Sequence, residues 1–163
     1  MDKNQAIIEY LITCPKILNS PLYFNLINAK NDNVQIITTS EDVTMRRPYI
    51  NGEIPKKYTF TLITFKSITD LAVVKDFSTE ADTNENVYDL ADVQALIDWL
   101  HEQEDNHIYP DFGKDCYIDS IQTTTDEPRF DGINDELTPP LAMYSIAIVI
   151  NYIDTSKTIW KEN

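Results

Sequence analysis

Residues 141–153 read LAMYSIAIVINYI, placing Tyr144, Ile146, Ile148, Ile150 and Tyr152 on one side of an extended chain and Ser145, Ala147, Val149 and Asn151 on the other. A period of two, dense in β-branched residues, predicts a strand with one strongly apolar face. That face needs a cover, and the sequence supplies one upstream. Between Val87 and about Asp105, Leu90, Val93, Ile97 and Leu100 recur at steps of three and four, with Leu96 and Trp99 widening the stripe. This predicts an amphipathic helix whose apolar stripe packs on a sheet, while Asp89, Asp92, Glu102 and Asp105 look outward. A shorter helix is expected within Asp2–Leu18, carried by Ala6, Ile7, Tyr10 and Leu11 and ended by Pro15.

The remaining strands follow from the same periodicity. LYFNLINA (22–29), the turn-like Lys30–Asn33 and the β-branched Val34–Thr39 predict a hairpin. Tyr58–Ile68, apolar on both faces around Leu62 and Ile63, predicts a central strand. Cys116–Thr125 has strand composition, but Ile118 and Ile121 fall on opposite parities, which predicts a bulge. Three long connections remain: 40–57, 69–86 and 126–140. The first, with two prolines and an Asn51-Gly52 turn signal, reads as a loop or a protruding hairpin. The resulting order, α-β-β-β-α-β-β, predicts one α+β domain over 1–163, a mainly antiparallel sheet with two helices packed on one face and long connecting loops.

Composition agrees with a folded single domain, since 163 residues suffice to bury about 70% of the unfolded surface. Cys14 and Cys116 stand in dissimilar contexts, without the spacing of a disulfide framework or a zinc site. No basic segment leads into an apolar run near Met1 and no apolar stretch is long enough to span a bilayer, so neither export by a signal peptide nor a membrane span is expected. The net charge of -14 is unevenly placed. Residues 1–80 hold nine Lys/Arg and nine Asp/Glu, whereas 82–136 hold sixteen Asp/Glu against Lys114 and Arg129. An excess of this sign disfavours a grip on nucleic acid, which depends on Lys/Arg neutralising phosphates. It serves either solubility or a functional acidic surface.

Chemical motifs are sparse. Gly52, Gly113 and Gly132 are the only glycines, so no phosphate-cradling loop is present. There is no nucleophile elbow, and His101 and His107 lack metalloprotease spacing. The carboxylates Asp115, Asp119, Asp126, Glu127 and Asp131 do not match a calcium loop. No catalytic residue, cofactor or metal is therefore expected. Arg46, Arg47, Lys56 and Lys57 flank a proline-bounded turn in an otherwise acidic chain. They are either solvated or pair with the acidic 82–136 region of a neighbouring copy, a self-complementarity that favours head-to-tail contacts and closed rings.

Several segments, in order, resemble a family carried by temperate phages and prophages of Gram-positive bacteria and described as minor capsid or tail terminator proteins. They are the YLITCP ending of the first helix (10–15), RRPYINGEIPKKYTFTLITFKS (46–67), ALIDWLHEQED followed by YPDFG (95–113), IDSIQTTT (118–125) and LAMYSIAIVINYID (141–154). They span nearly the whole chain, and none is a catalytic signature. Where that family often carries a GYLF-like element before its last strand, this chain reads RFDGINDELTPP (129–140), which puts in doubt a partner contact made there. The resemblance implies a structural virion protein, assembled in the host cytoplasm, that forms a hexameric ring capping the tail tube and joining it to the head connector or stopper. Another neck or head-completion adaptor of the same particle is the alternative. DNA would pass through such a ring without specific binding. Asp89, Asp92 and Glu102, with Asp126, Asp131 and Asp135 in the following loop, are the candidates for a lumen-facing acidic wall; the competing reading places them on the outer rim.

Overall fold

The two segments densest in β-branched and aromatic residues form the longest strands, β4 (Ile54–Ser67) and β7 (Leu141–Asp154), and they pair antiparallel along their whole lengths. The computed structural model describes residues 2–15, 17, 22–24, 35–37, 40–67, 80–134 and 141–158. The other elements assemble around this ribbon: helix α1 (Lys3–Leu11), strands β1 (Leu22–Phe24), β2 (Gln35–Ile37) and β3 (Glu41–Thr44), helix α2 (Glu80–Asp105), and strands β5 (Cys116–Thr123) and β6 (Arg129–Asn134). The sheet runs β1-β2-β4-β7-β5, with β3 also pairing β4 and β6 also pairing β7. All pairings are antiparallel except β1 with β2. The protein is an α+β domain with a mainly antiparallel sheet.

Register explains the core. Tyr58, Phe60 and Leu62 of β4 stand opposite Ile150, Ile148 and Ile146 of β7, so one face of the ribbon is continuously apolar. Ala6, Ile7, Tyr10 and Leu11 of α1 and Val93, Leu96, Ile97 and Leu100 of α2 pack into the same buried cluster, so both helices cover this one face. Tyr10 joins the two helices: its ring lies 5.2 Å from that of Trp99, and its hydroxyl donates to the Ile108 carbonyl at 3.0 Å. The opposite face, with Thr59, Thr61 and Ile63 on β4 and Ala147, Val149 and Asn151 on β7, is half-buried.

Helix ends follow local chemistry. Asp2 caps α1 by accepting from the Asn4 amide. α2 closes with the Ile108 amide bonded to the Gln103 carbonyl and the His107 amide to that of Glu104, with His107 in the left-handed region at φ 54°.

Several expectations are met and several corrected. The bulge in β5 lies between Ile118 and Ser120 and returns Ile118 and Ile121 to the same buried face. The pair at 22–39 is not a hairpin: β1 and β2 run parallel, an arrangement that needs a crossover longer than a tight turn. Two strands are added to the expected order, β3 within 40–57 and β6 within 126–140, and the first of these segments adopts the protruding-hairpin alternative. Helix α2 begins at Glu80, inside the segment expected to be a polar connection. Helical backbone does not require an apolar stripe, and acidic residues suit a helix N-terminus.

Candidate interaction surface

The β3–β4 hairpin turns through residues 45–53, and its sequence, MRRPYINGE, places three large apolar side chains at the surface. Met45 and Tyr49 are about half exposed, and Ile50 is fully exposed at 102% of its reference area. An isoleucine side chain gains about 1.5–3 kcal/mol on burial, so this one leaves a gain unrealised in the isolated chain. The turn itself is defined. The Tyr49 amide donates to the Glu53 carbonyl at 2.8 Å, the Gly52 amide to the Tyr49 carbonyl at 2.9 Å, and the Glu53 amide to Asn51 Oδ1 at 3.1 Å. Gly52, at φ 89°, sits so close to the segment after β7 that a Cβ there would lie 2.3 Å from the Lys157 carbonyl oxygen.

Arg46 and Arg47 are exposed in this turn, and no carboxylate among the described residues pairs with either. The two lysines are placed differently from the single basic loop expected. Both lie in β4, and the pleat sends them to opposite faces. Lys56 opposes Tyr152 on the helix-covered side and pairs within the chain to Asp154 at 3.2 Å. Burial works to raise the Asp154 carboxyl, but the Ser156 hydrogen bonds and the Lys56 ammonium outweigh it and bring the group down to about 2. Lys57 opposes Asn151 on the half-buried face.

The root of the hairpin is held by residues that the sequence reading did not single out. Asp42 of β3 accepts the Tyr152 hydroxyl on both carboxylate oxygens, at 2.7 and 2.9 Å, and pairs with Lys3 of α1 at 3.3 Å. Burial and the Asp42 carboxylate together push the Tyr152 hydroxyl far above its ordinary pKa. Lys3 also lies 5.4 Å from the centre of the Tyr152 ring and 6.0 Å from that of Phe112. Asn4 Oδ1 accepts from Ser40 at 2.6 Å and from the Tyr58 hydroxyl. Asp2, Lys3, Asn4, Ser40, Asp42 and Tyr58 line an open pocket of about 310 Å³, in which the charges of Lys3 and Asp42 meet.

The acidic candidates scatter. Glu102 is exposed on the last turns of α2, and Asp126 is exposed in the β5–β6 turn, where its carbonyl accepts from Gln94 of α2 at 2.9 Å. Asp131 lies in β6 rather than in a loop. Its side chain is only 13% exposed, and Oδ1 sits 2.6 Å from Arg129 Nε without hydrogen-bond geometry. Asp89 and Asp92 belong to α2, but their side chains lie outside the described residues, as does the whole of Asp135.

Around β5, by contrast, acidic and apolar side chains converge. Glu104 of α2 accepts the Ile121 amide at 2.7 Å, and the Tyr109 hydroxyl reaches the Asp119 carbonyl at 3.4 Å. Burial first, then Glu104, Asp119 and Tyr117 raise the Tyr109 hydroxyl pKa. Tyr117 and Ile108 beside it are exposed, Tyr117 at 66%. Among the described residues no group of His, Cys, Asp and Glu is arranged to hold a metal, and no helix is long and apolar enough to cross a membrane. No family model matches the chain, and no curated protein matches it.

Proposed function

We propose that this chain is a structural subunit of a phage-type tail, a tail terminator that works as a ring of identical copies, hexameric by the resemblance, capping the tail tube and joining it to the head connector. The observation that carries the reading is the β3–β4 turn, where Met45, Tyr49 and Ile50 stand exposed beside Arg46 and Arg47 in a chain of net charge -14. A turn closed by its own hydrogen bonds that offers apolar area and guanidinium groups unpaired among the described residues is suited to protein contact. Apart from Met45, its sequence lies within the longest segment of resemblance to the tail terminator family. The carboxylates of 82–136, in this reading, supply either the electrostatic complement within the ring or a wall that repels DNA over about 8 Å at physiological ionic strength.

The test is position in the particle. Antibody to this chain, bound to purified tails and imaged with a gold label, is expected at the head-proximal end alone. Label along the tube, at the distal tip or absent from tails overturns the proposal. Imaging of the purified protein at high concentration is expected to show closed rings, with six copies as the count to be checked.

A further inference from the structure

Two surfaces of the chain complement each other and lie on opposite sides of the same sheet. In the half of the sheet formed by β3, β4, β7 and β5, register aligns Thr44, Lys56, Tyr152 and Ile118, and then Val43, Lys57, Asn151 and Ser120. β3 and β5 are therefore the two edges of one four-stranded layer, with two strands between them. Ile54 and Cys116 both register with Asp154, so the β3–β4 turn and the start of β5 lie at the same end of that layer.

The β3 side carries Ile50, Met45 and Tyr49 with Arg46 and Arg47. The β5 side carries exposed Tyr117 and Asp119 on the strand, and beside its edge exposed Ile108, next to the Tyr109 whose hydroxyl reaches the Asp119 carbonyl, and Glu104, which accepts the Ile121 amide. Residues 101–120 around this second surface hold six Asp/Glu against Lys114. The main-chain edge of β5 is already occupied at Ile121 by Glu104 and at Asp119 by Tyr109, so a partner meets side chains there rather than adding a strand.

We infer that the β3–β4 turn of one copy docks on the β5 side of a second copy, with Ile50 and Met45 against Tyr117 and Ile108, and Arg46 and Arg47 against Asp119 and Glu104. The contact deepens the ring reading above by naming both halves of the subunit interface. Because the two surfaces are different and face opposite ways, each copy offers one of each to its neighbours, which is the condition for a ring or an open filament rather than an isologous dimer. Guanidinium against carboxylate sets the register, and the apolar pair at the centre is removed from water.

Mixed cross-linking tests this on the full chain. Cys116 lies next to Tyr117 and is replaced by Ser in all variants, while Cys14 is buried. Ile50→Cys and Tyr117→Cys proteins, treated with a short bismaleimide, are expected to give a covalent dimer when mixed and little when either is treated alone. Adding R46E and R47E to the Ile50→Cys partner is expected to cut the yield about tenfold at low salt, and less at high salt, as for charges that steer association. Pairing that protein with a Tyr117→Cys partner carrying Asp119→Arg is expected to recover much of it. Far-UV circular dichroism and urea midpoints matching the parent keep these outcomes separate from misfolding. Rings that form without the mixed cross-link overturn this contact and leave the tail terminator reading standing. The mixed cross-link on a protein absent from tails overturns that reading and leaves the contact. A protein that never self-associates, or single variants that cross-link as well as the mixture, overturns the contact.

Discussion

Ile148 and Ile50 are the same side chain in opposite circumstances. Ile148, in the middle of β7, is 0% exposed and faces Phe60 across the strand pair; Ile50, in the β3–β4 turn, is fully exposed. The first region is packed from both helices and carries the stability of the fold. The second is held by main-chain hydrogen bonds, Gly52 and a few tethers at its root, so its shape is fixed while its apolar area is not used. Buried and exposed apolar area are thus separated between the β4–β7 ribbon and the β3–β4 turn, and substitutions in the two regions should separate the same way.

The largest effect is expected at the packed end. Ile148→Ala removes buried atoms and leaves a cavity, costing about 2–5 kcal/mol, whereas Ile50→Ser should change stability by no more than about 0.5 kcal/mol. Urea unfolding of both variants checks this. Equal losses would mean that the turn is part of the core, and the contrast would collapse.

Gly52→Ala is expected to come next, at about 1–3 kcal/mol. The residue sits at φ 89°, and its Cβ would meet the Lys157 carbonyl at 2.3 Å. The variant should loosen the turn and, in the proposed ring, weaken the contact between copies beyond what its stability loss explains. Urea unfolding together with light scattering reads both quantities, and a variant as stable as the parent would show that the turn is free to move away from the segment after β7.

The packed region was largely legible in the sequence and the pairing of its outskirts was not, for a physical reason. Alternation at 141–153, the helical stripe from Val93 to Leu100 and the parity break between Ile118 and Ile121 are local patterns that burial enforces, and each survives in the structure. Strand direction at 22–39 depends on the path of the intervening chain, which residue type does not encode, so a parallel pair was read as a hairpin. β6 hid in a segment with three prolines, because a six-residue strand with Gly132 at its bulge leaves almost no alternation to read. The basic patch was legible as composition but not as geometry. The pleat parted Lys56 from Lys57, and Asp154, nearly a hundred residues on, claimed Lys56. The apolar residues in MRRPYING stand in the sequence itself, and three large apolar side chains in a turn are a signal that charge alone does not give.

Tyr152→Phe probes the tether between the two regions, at about 1.5 kcal/mol, the size of a hydrogen bond to a charged group. The hydroxyl lost is the one that donates to Asp42, which keeps its ion pair with Lys3. Hydrogen exchange is expected to quicken at residues 41–44 while the Tyr58–Leu62 amides keep their protection. Uniform quickening would mean that the tether belongs to the core rather than to the root of the hairpin.

The smallest effect expected is a pH dependence at the end of the sheet where the hairpin leaves it. Ile54 registers with Asp154, whose carboxylate takes the Ser156 amide at 2.9 Å and the Lys56 ammonium at 3.2 Å. These partners hold its pKa at about 2, below the ordinary 3.8, so the folded state favours the charged form more than the unfolded chain does. The stabilisation is therefore fully present above 3.8 and is lost as pH falls through about 2. The pair is partly open to solvent, which limits its worth to about 0.5–1 kcal/mol. Asp154→Asn removes the charge at every pH, so the urea midpoint of the variant should lie below that of the parent at pH 6 and converge on it as the pH approaches 2. Lys56→Met should show the same convergence, because it removes the other half of the same pair. A gap between parent and Asp154→Asn that stays constant down to pH 2 would assign the anchoring to the shape of the side chain rather than to its charge, and the root of the hairpin would then be held in the same way as the core it adjoins.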